Sequence, residues 1–233
     1  SNNSWGKVEW HAYKDYSAAL DDIVRGGLGK PVSIVCAAGN EGDWATIAST
    51  AVGKNVITVG ATNSDDGSIW SWSNKGPTAD GRLKPDVMSP GCESRKGWGI
   101  WSTLPGNRYG SGCGTSLAAP SVSGTLALLL EDWRAVHETD PLPSTLKGIV
   151  IHSAVDMNAP GPDYASGYGS IDARGAVELI RADTLDERIV EDHISERGRQ
   201  KRYRLHVPPG QDELKLTLVW DDVAADPLAA LAA

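Results

Sequence analysis

Apolar positions change period along the chain, and the changes mark the elements. Between residues 13 and about 26, Ala18, Ala19, Ile23 and Val24 fall on one face of a helical pattern. Gly27-Leu-Gly29 ends it. Residues 31–38 form a short, continuous, β-branched apolar run, which predicts a strand buried on both faces of a parallel sheet. It stops at the turn Gly39-Asn-Glu-Gly42. Residues 56–61 predict a second buried strand, followed by the polar loop 63–67. Residues 71–77 and 84–91 are rich in turn formers and read as loops. A hairpin is predicted around 99–103 and 108–109, turning at Pro105-Gly-Asn107. A long small-residue and apolar run then extends from Leu117 to about Trp133. Prolines at 141 and 143 interrupt the pattern, residues 145–154 resume it as a helix, and a last helix runs from Arg174 to about Ala182. Helices and buried strands in this order predict an α/β domain, a parallel sheet flanked by helices, over residues 1–182.

The pattern shifts after that point. Residues 183–204 are charge-rich and read as a linker or solvated edge. Residues 203–207 and 214–220 alternate apolar and polar about the turn Pro208-Pro-Gly210, which predicts two strands of a β unit. Two strands cannot bury a core alone. The segment 183–233 is therefore either an incomplete second unit or a piece packed on the first.

Composition narrows the function. Of 233 residues, 40% are hydrophobic, as in a soluble globular core. The net charge of −8 argues against nucleic-acid or anionic-membrane binding. No apolar run reaches membrane-spanning length and no signal-peptide pattern opens the chain. Cys36, Cys92 and Cys113 make neither a disulfide framework nor a zinc pattern, and the five histidines have no metal-ligand spacing, so no metal site is expected.

The candidate chemistry lies at the start of the long apolar run. Gly110, Gly112 and Gly114 permit a tight backbone path that ends at Thr115-Ser116. Pro120 is tolerated early in a helix, so Ser116 should sit at or just inside a helix N-terminus, where unpaired amides and the dipole favour developing negative charge. That suits a nucleophilic serine. The same spacing also suits a serine that merely caps a core helix.

Gly114-Thr-Ser-Leu-Ala-Ala-Pro120 resembles the nucleophile motif of subtilisin-like serine proteases, with Leu117 where methionine is usual and Ser121 where histidine is frequent. Other segments resemble the family in the same order. Ser4-Trp-Gly6 resembles its substrate-aligning strand and Ala37-Ala-Gly-Asn-Glu-Gly42 its oxyanion-asparagine turn. Val56-Ile-Thr-Val-Gly-Ala61, Ser73-Asn-Lys-Gly-Pro77, Lys84-Pro-Asp-Val-Met-Ser-Pro-Gly91 and Gly167-Tyr-Gly-Ser-Ile-Asp-Ala173 resemble framework segments. The tail resembles the β-sandwich domain appended to some alkaline subtilases.

The resemblance implies a serine endopeptidase acting on protein or peptide substrates and located outside the cell. It implies Ser116 as nucleophile, Asn40 as oxyanion donor, Ser4, Trp5 and Gly6 as one wall of the peptide groove, and Ala38 and Gly39 as the other. Ala48, where the family usually has glycine, would narrow the pocket base. No cofactor is required, with structural calcium as an allowed addition. The family's catalytic aspartate and histidine motifs do not occur here, and His11 has the wrong context. The chain is therefore expected to be the C-terminal part of a catalytic domain whose N-terminal part supplies both residues. A catalytically inactive peptide-binding module and an unrelated α/β ligand-binding domain are the alternatives. Cys36 reads as an inert core thiol. Cys113 is the rival nucleophile that the motif argues against. In a secreted protein Cys92 and Cys113, which bracket the predicted hairpin, would pair; two separate thiols are the alternative.

Overall fold

The computed structural model describes residues 1–6, 11–93, 99–186, 188–194, 200–207, 209–210 and 212–226. Its central sheet follows chain order. Strands β1 (Asn2–Asn3), β2 (Val35–Ala37), β3 (Ile57–Asn63) and β4 (Val87–Cys92) lie side by side, each pair parallel. Among the described residues four helices flank it: α1 (Asp15–Val24), α2 (Thr115–His137), α3 (Pro143–Ser153) and α4 (Ala173–Asp186). Strands β5 (Ile100–Leu104) and β6 (Arg108–Gly112) form the predicted hairpin, antiparallel with Thr103 opposite Tyr109. This is the expected parallel sheet with flanking helices.

The layering follows from period two along the strands. Val35 and Ala37 of β2 join Ile57, Val59 and Val87 in one core beneath α2, α3 and α4. Cys36 and the following Ala38 point the other way, into a second core with Val24, Ile47, Val52 and Val56. Each fully buried aliphatic side chain of these cores contributes about 1.5–3 kcal/mol relative to exposure. Cys36 is buried and unpaired, and burial pushes its thiol pKa up to about 12, as befits an inert core residue.

Two expectations need correction here. Residues 84–91 are not wholly a loop, because β4 begins at Val87. Pro90 is compatible with that strand because it lies two residues past Met88, whose N–H and C=O bond Gly169 and Ile171 on the side away from β3. The strands predicted at 203–207 and 214–220 are absent: the described residues there form no ladder, and a β-sandwich is not shown. The tail instead lies against the α/β unit. Thr217 Oγ1 meets His152 Nδ1 at 2.9 Å, Ser144 donates to Asp221 at 2.8 Å, and Asn55 exchanges two hydrogen bonds of 2.8 Å with the backbone of Asp222.

A buried charge cluster sits beside that docking surface. Asp86 pairs with Lys84 at 2.6 Å and with Lys147 at 3.2 Å, and accepts the Thr58 amide at 2.7 Å. Both lysines also donate to the Val56 carbonyl, each at 3.0 Å. The cluster joins β3, β4 and α3. Burial lowers the Lys84 pKa to about 8, against the opposing pull of Asp86.

Candidate functional site

The cleft opens at the carboxyl ends of β1 and β2, where a parallel sheet presents its loops. Ser4, Trp5, Gly6, Ala37, Gly39, Asn40, Glu41, Thr46, Ala48, Thr115 and Ser116 line a space of about 150 Å³. Three stretches that are remote in sequence thus converge on it: the chain after β1, the turn after β2, and the start of α2.

Ser116 is the second residue of α2, at the helix start expected for it. Gly114 caps the helix, and its N–H bonds the Gly91 carbonyl at 2.9 Å, which seats the turn on the end of β4. The cap has a φ of 156°, which L side chains rarely adopt, and this favours glycine. A Cβ there would lie 3.0 Å from Ser116 Oγ and 3.5 Å from Asn40 Nδ2. Asn40 Oδ1 is 3.6 Å from the same point, so the serine hydroxyl and the asparagine carboxamide are close neighbours. One end of the Asn40 carboxamide is held. Its Oδ1 accepts the Thr115 N–H at 2.8 Å and the Thr115 hydroxyl at 2.9 Å, leaving Nδ2 on the open side. Thr115 Oγ1 also accepts the Gly39 N–H at 3.1 Å.

Pro120 does more than tolerate its position. In a regular helix residue 120 would donate to the carbonyl of residue 116, and proline has no N–H to give. Ser4 Oγ takes that carbonyl instead, at 2.7 Å. The extended chain after β1 is thereby tied to the backbone of Ser116. Trp5 is tied by its carbonyl, which accepts the Thr50 hydroxyl at 3.2 Å, and its side chain is 57% exposed at the cleft.

Ser4, Trp5, Gly6, Gly39, Asn40, Ala48 and Ser116 therefore come together as expected. Ala38 does not line the cleft. Alternation along β2 turns its side chain into the second core, and Ala37 lines the wall in its place. Ala38 contributes through its carbonyl, which accepts the Ala48 N–H at 2.9 Å and draws Ala48 under the cleft. A Cβ on Gly6 would lie 2.8 Å from the Ala48 Cβ, so the two walls approach closely there. Thr115, Glu41 and Thr46 were missed by sequence reasoning. Thr115 adjoins Ser116 in the motif, and Glu41 adjoins Asn40 in the turn, so adjacency was the available signal.

Cys92 and Cys113 are joined as a disulfide, with Cα atoms 4.4 Å apart. Cys113 is thereby excluded as a free thiol beside Ser116. None of the histidines lines the cleft. Among the described residues no group of three or more His, Cys, Asp or Glu side chains gathers as a metal site, and no helix is long and apolar enough to cross a membrane.

Known proteins resemble this arrangement in sequence and in fold. The Peptidase_S8 subtilase family matches residues 1–169. Serine protease AprX of Bacillus subtilis (strain 168) is 34% identical over 160 residues, covering 62% of this chain and 35% of that protein. Subtilisin E of the same organism is 36% identical over 135 residues, covering 55% of this chain and 32% of that protein. The chain spans about a third of the length of these curated relatives. Among solved structures, the prenylagaramide maturation protease PagA superposes with a TM-score of 0.63 at 25% identity, over 77% of this chain and 61% of that one. The patellamide maturation protease PatA gives 0.61 at 26% identity, over 77% and 61%. Since the family match takes in the cleft, the hairpin and the whole of α2, this chain belongs to the subtilase family.

Proposed function

We propose that this chain is the part of a serine endopeptidase that carries the nucleophile and the oxyanion hole, and that a segment outside residues 1–233 supplies the catalytic histidine and aspartate. The observation that carries the reading is that Ser116, at the start of α2, and Asn40 line one cleft.

A serine hydroxyl is a weak nucleophile at neutral pH and needs a base to take its proton. With that base supplied, Ser116 Oγ adds to the scissile carbonyl carbon, and the carbonyl oxygen becomes an oxyanion. Asn40 Nδ2 and the Ser116 N–H donate to it, aided by the helix dipole. Collapse expels the amine with the proton returned by the base, and water then releases the acyl group by the reverse sequence. No cofactor enters these steps. Bound structural calcium elsewhere in the whole protein is compatible with them. The substrate is an extended peptide that adds alongside residues 4–6 as a further strand. Ala48 and the close wall at Gly6 leave room for Leu, Met or Ala at the cleavage position and disfavour Tyr or Phe. A location outside the cell is part of the same proposal.

The alternative of an inactive peptide-binding module rests on one observation: no histidine lines the cleft. Labelling of the full-length polypeptide by a fluorophosphonate separates the two. Labelling that is lost in Ser116→Ala and kept in Cys113→Ala is expected. Retained labelling of Ser116→Ala would refute the assignment, and an unlabelled wild type would favour the binding module.

A further inference from the structure

Asn74 lies in the framework segment Ser73-Asn-Lys-Gly-Pro77, remote in sequence from every cleft residue. It is fully buried, at 0% exposure. A buried carboxamide has two donor hydrogens and two acceptor lone pairs to satisfy. All are spent on one loop. Its Oδ1 accepts the Glu41 N–H at 2.6 Å and the Gly42 N–H at 3.0 Å. Its Nδ2 donates to the Thr46 carbonyl at 2.6 Å and to the Glu41 carboxylate. Its backbone N–H adds a bond to the Gly39 carbonyl at 3.1 Å.

These bonds bracket Asn40. The residue before it is held by the Asn74 backbone and the residue after it by the Asn74 side chain. The fit is close: a Cβ on Gly39 would lie 2.1 Å from Asn74 Nδ2. The carboxamide of Asn40 is meanwhile fixed at Oδ1 by Thr115. Two independent anchors, one on the backbone and one on the side chain, thus determine where Asn40 Nδ2 points. The bond to Thr46 carries the same anchor to the stretch that bears Ala48, so the oxyanion side and the pocket base share one support. Glu41, a carboxylate at the cleft, has its direction set by the same amide.

We propose that Asn74 is a positioning residue of the protease, setting the oxyanion donor Asn40 and the pocket base together. The proposal rests on the reading of the cleft as a protease site. Such a residue acts through geometry, and small misplacement of a donor weakens transition-state binding more than substrate binding.

The test is a double-mutant cycle in the full-length polypeptide. Asn74→Ala should lower kcat about tenfold or more with a smaller change in KM, because misplacement on the order of 1 Å is enough for such a loss. In an Asn40→Leu background the same change should have little further effect on kcat, since the donor it positions is gone. The preference at the cleavage position should also broaden. If Asn74→Ala lowers kcat by the same factor with and without Asn40, the residue is only structural and the proposal fails. Asn74→Ser, which keeps one polar group, serves if the alanine variant does not fold. Hydrogen exchange at the Glu41 and Gly42 amides supplies a readout without activity. It should be slow in the wild type and fast in either variant, and unchanged exchange would overturn the clamp. An inactive wild type would instead overturn the protease reading, which keeps the two failures apart.

Discussion

The turn at residues 39–46 and the tail at 212–226 both lie outside any ladder, yet they are built in opposite ways. In the turn, polar groups are answered from two sides, by Thr115 at the start of α2 and by residues 74–76. In the tail only one face is answered. Lys215, Thr217, Asp221 and Asp222 reach α3 and the stretch before β3, while Leu214, Leu216, Leu218 and Trp220 face outward and are exposed. An irregular segment becomes a precise one when its polar atoms have fixed partners. A regular pattern stays irregular in structure when its apolar face has none.

The most severe break in the comparison would come from Asp86, which lies beneath the surface on which the tail docks. Asp86→Asn leaves Lys84 and Lys147 buried without their counter-charge, which should cost about 3–5 kcal/mol in urea unfolding near neutral pH. The pH dependence follows from the shift. Burial raises the Asp86 pKa, but Lys147, Lys84 and the Thr58 amide outweigh it and hold the carboxyl below its ordinary value of 3.8. Its contribution is therefore complete above that value and is lost as pH falls through the lower folded pKa. The gap between wild type and variant should close in strong acid. A gap that persists unchanged at all pH values would show that the charge is not what holds the cluster.

On the turn itself, if Asn40 is the proposed oxyanion donor, Asn40→Leu should lower kcat by on the order of 10²–10³ with KM little changed, the usual effect of removing one such donor, as measured in subtilisin. An effect confined to KM would count against the oxyanion role. Thr115→Val is a milder step. It removes the hydroxyl that donates to Asn40 and accepts from Gly39, while the Thr115 N–H still holds Oδ1. A fall in kcat of about tenfold, equivalent to about 1.4 kcal/mol, is expected, and an unchanged kcat would mean that the N–H alone fixes the amide.

Which parts were legible in the sequence follows the same division. The buried runs at 31–38 and 56–61 and the periodic run after Ser116 announced β2, β3 and α2, because burial on two faces and on one face leave different periods. Ser116 and Asn40 were singled out because the strings around them resemble the subtilase motifs, and the structure brings both to one cleft. β4 was hidden by Pro85 and Pro90, whose cost depends on which side of the strand has a partner. Ala38 was named as part of the groove wall; its side chain lies in the second core, and its carbonyl holds Ala48 under the cleft. Asn74 carried no local signal at all, since its role lies in bonds to a loop 28 to 33 residues earlier. The tail misled in the other direction, offering an alternating pattern with no neighbouring strand among the described residues.

The tail also gives the smallest and most discriminating prediction. If residues 214–220 are held only by their polar face, Leu218, which is 83% exposed, contributes almost nothing to stability. Leu218→Ser should then leave unfolding of the 233-residue chain within about 0.5 kcal/mol of the wild type, the usual span for surface substitutions. A leucine packed inside a β-sandwich would behave differently, because truncating a buried leucine costs about 2–5 kcal/mol. The contrasting substitution is Asn55→Ala. Asn55 is buried, donates to the Asp21 and Asp222 carbonyls and accepts the Asp222 N–H, so its loss leaves buried groups unanswered. That should cost about 1–3 kcal/mol. Should Leu218→Ser prove the costlier of the two, the outward face is covered in solution, and the tail is an inner strand of a larger β unit and not a strap on α3.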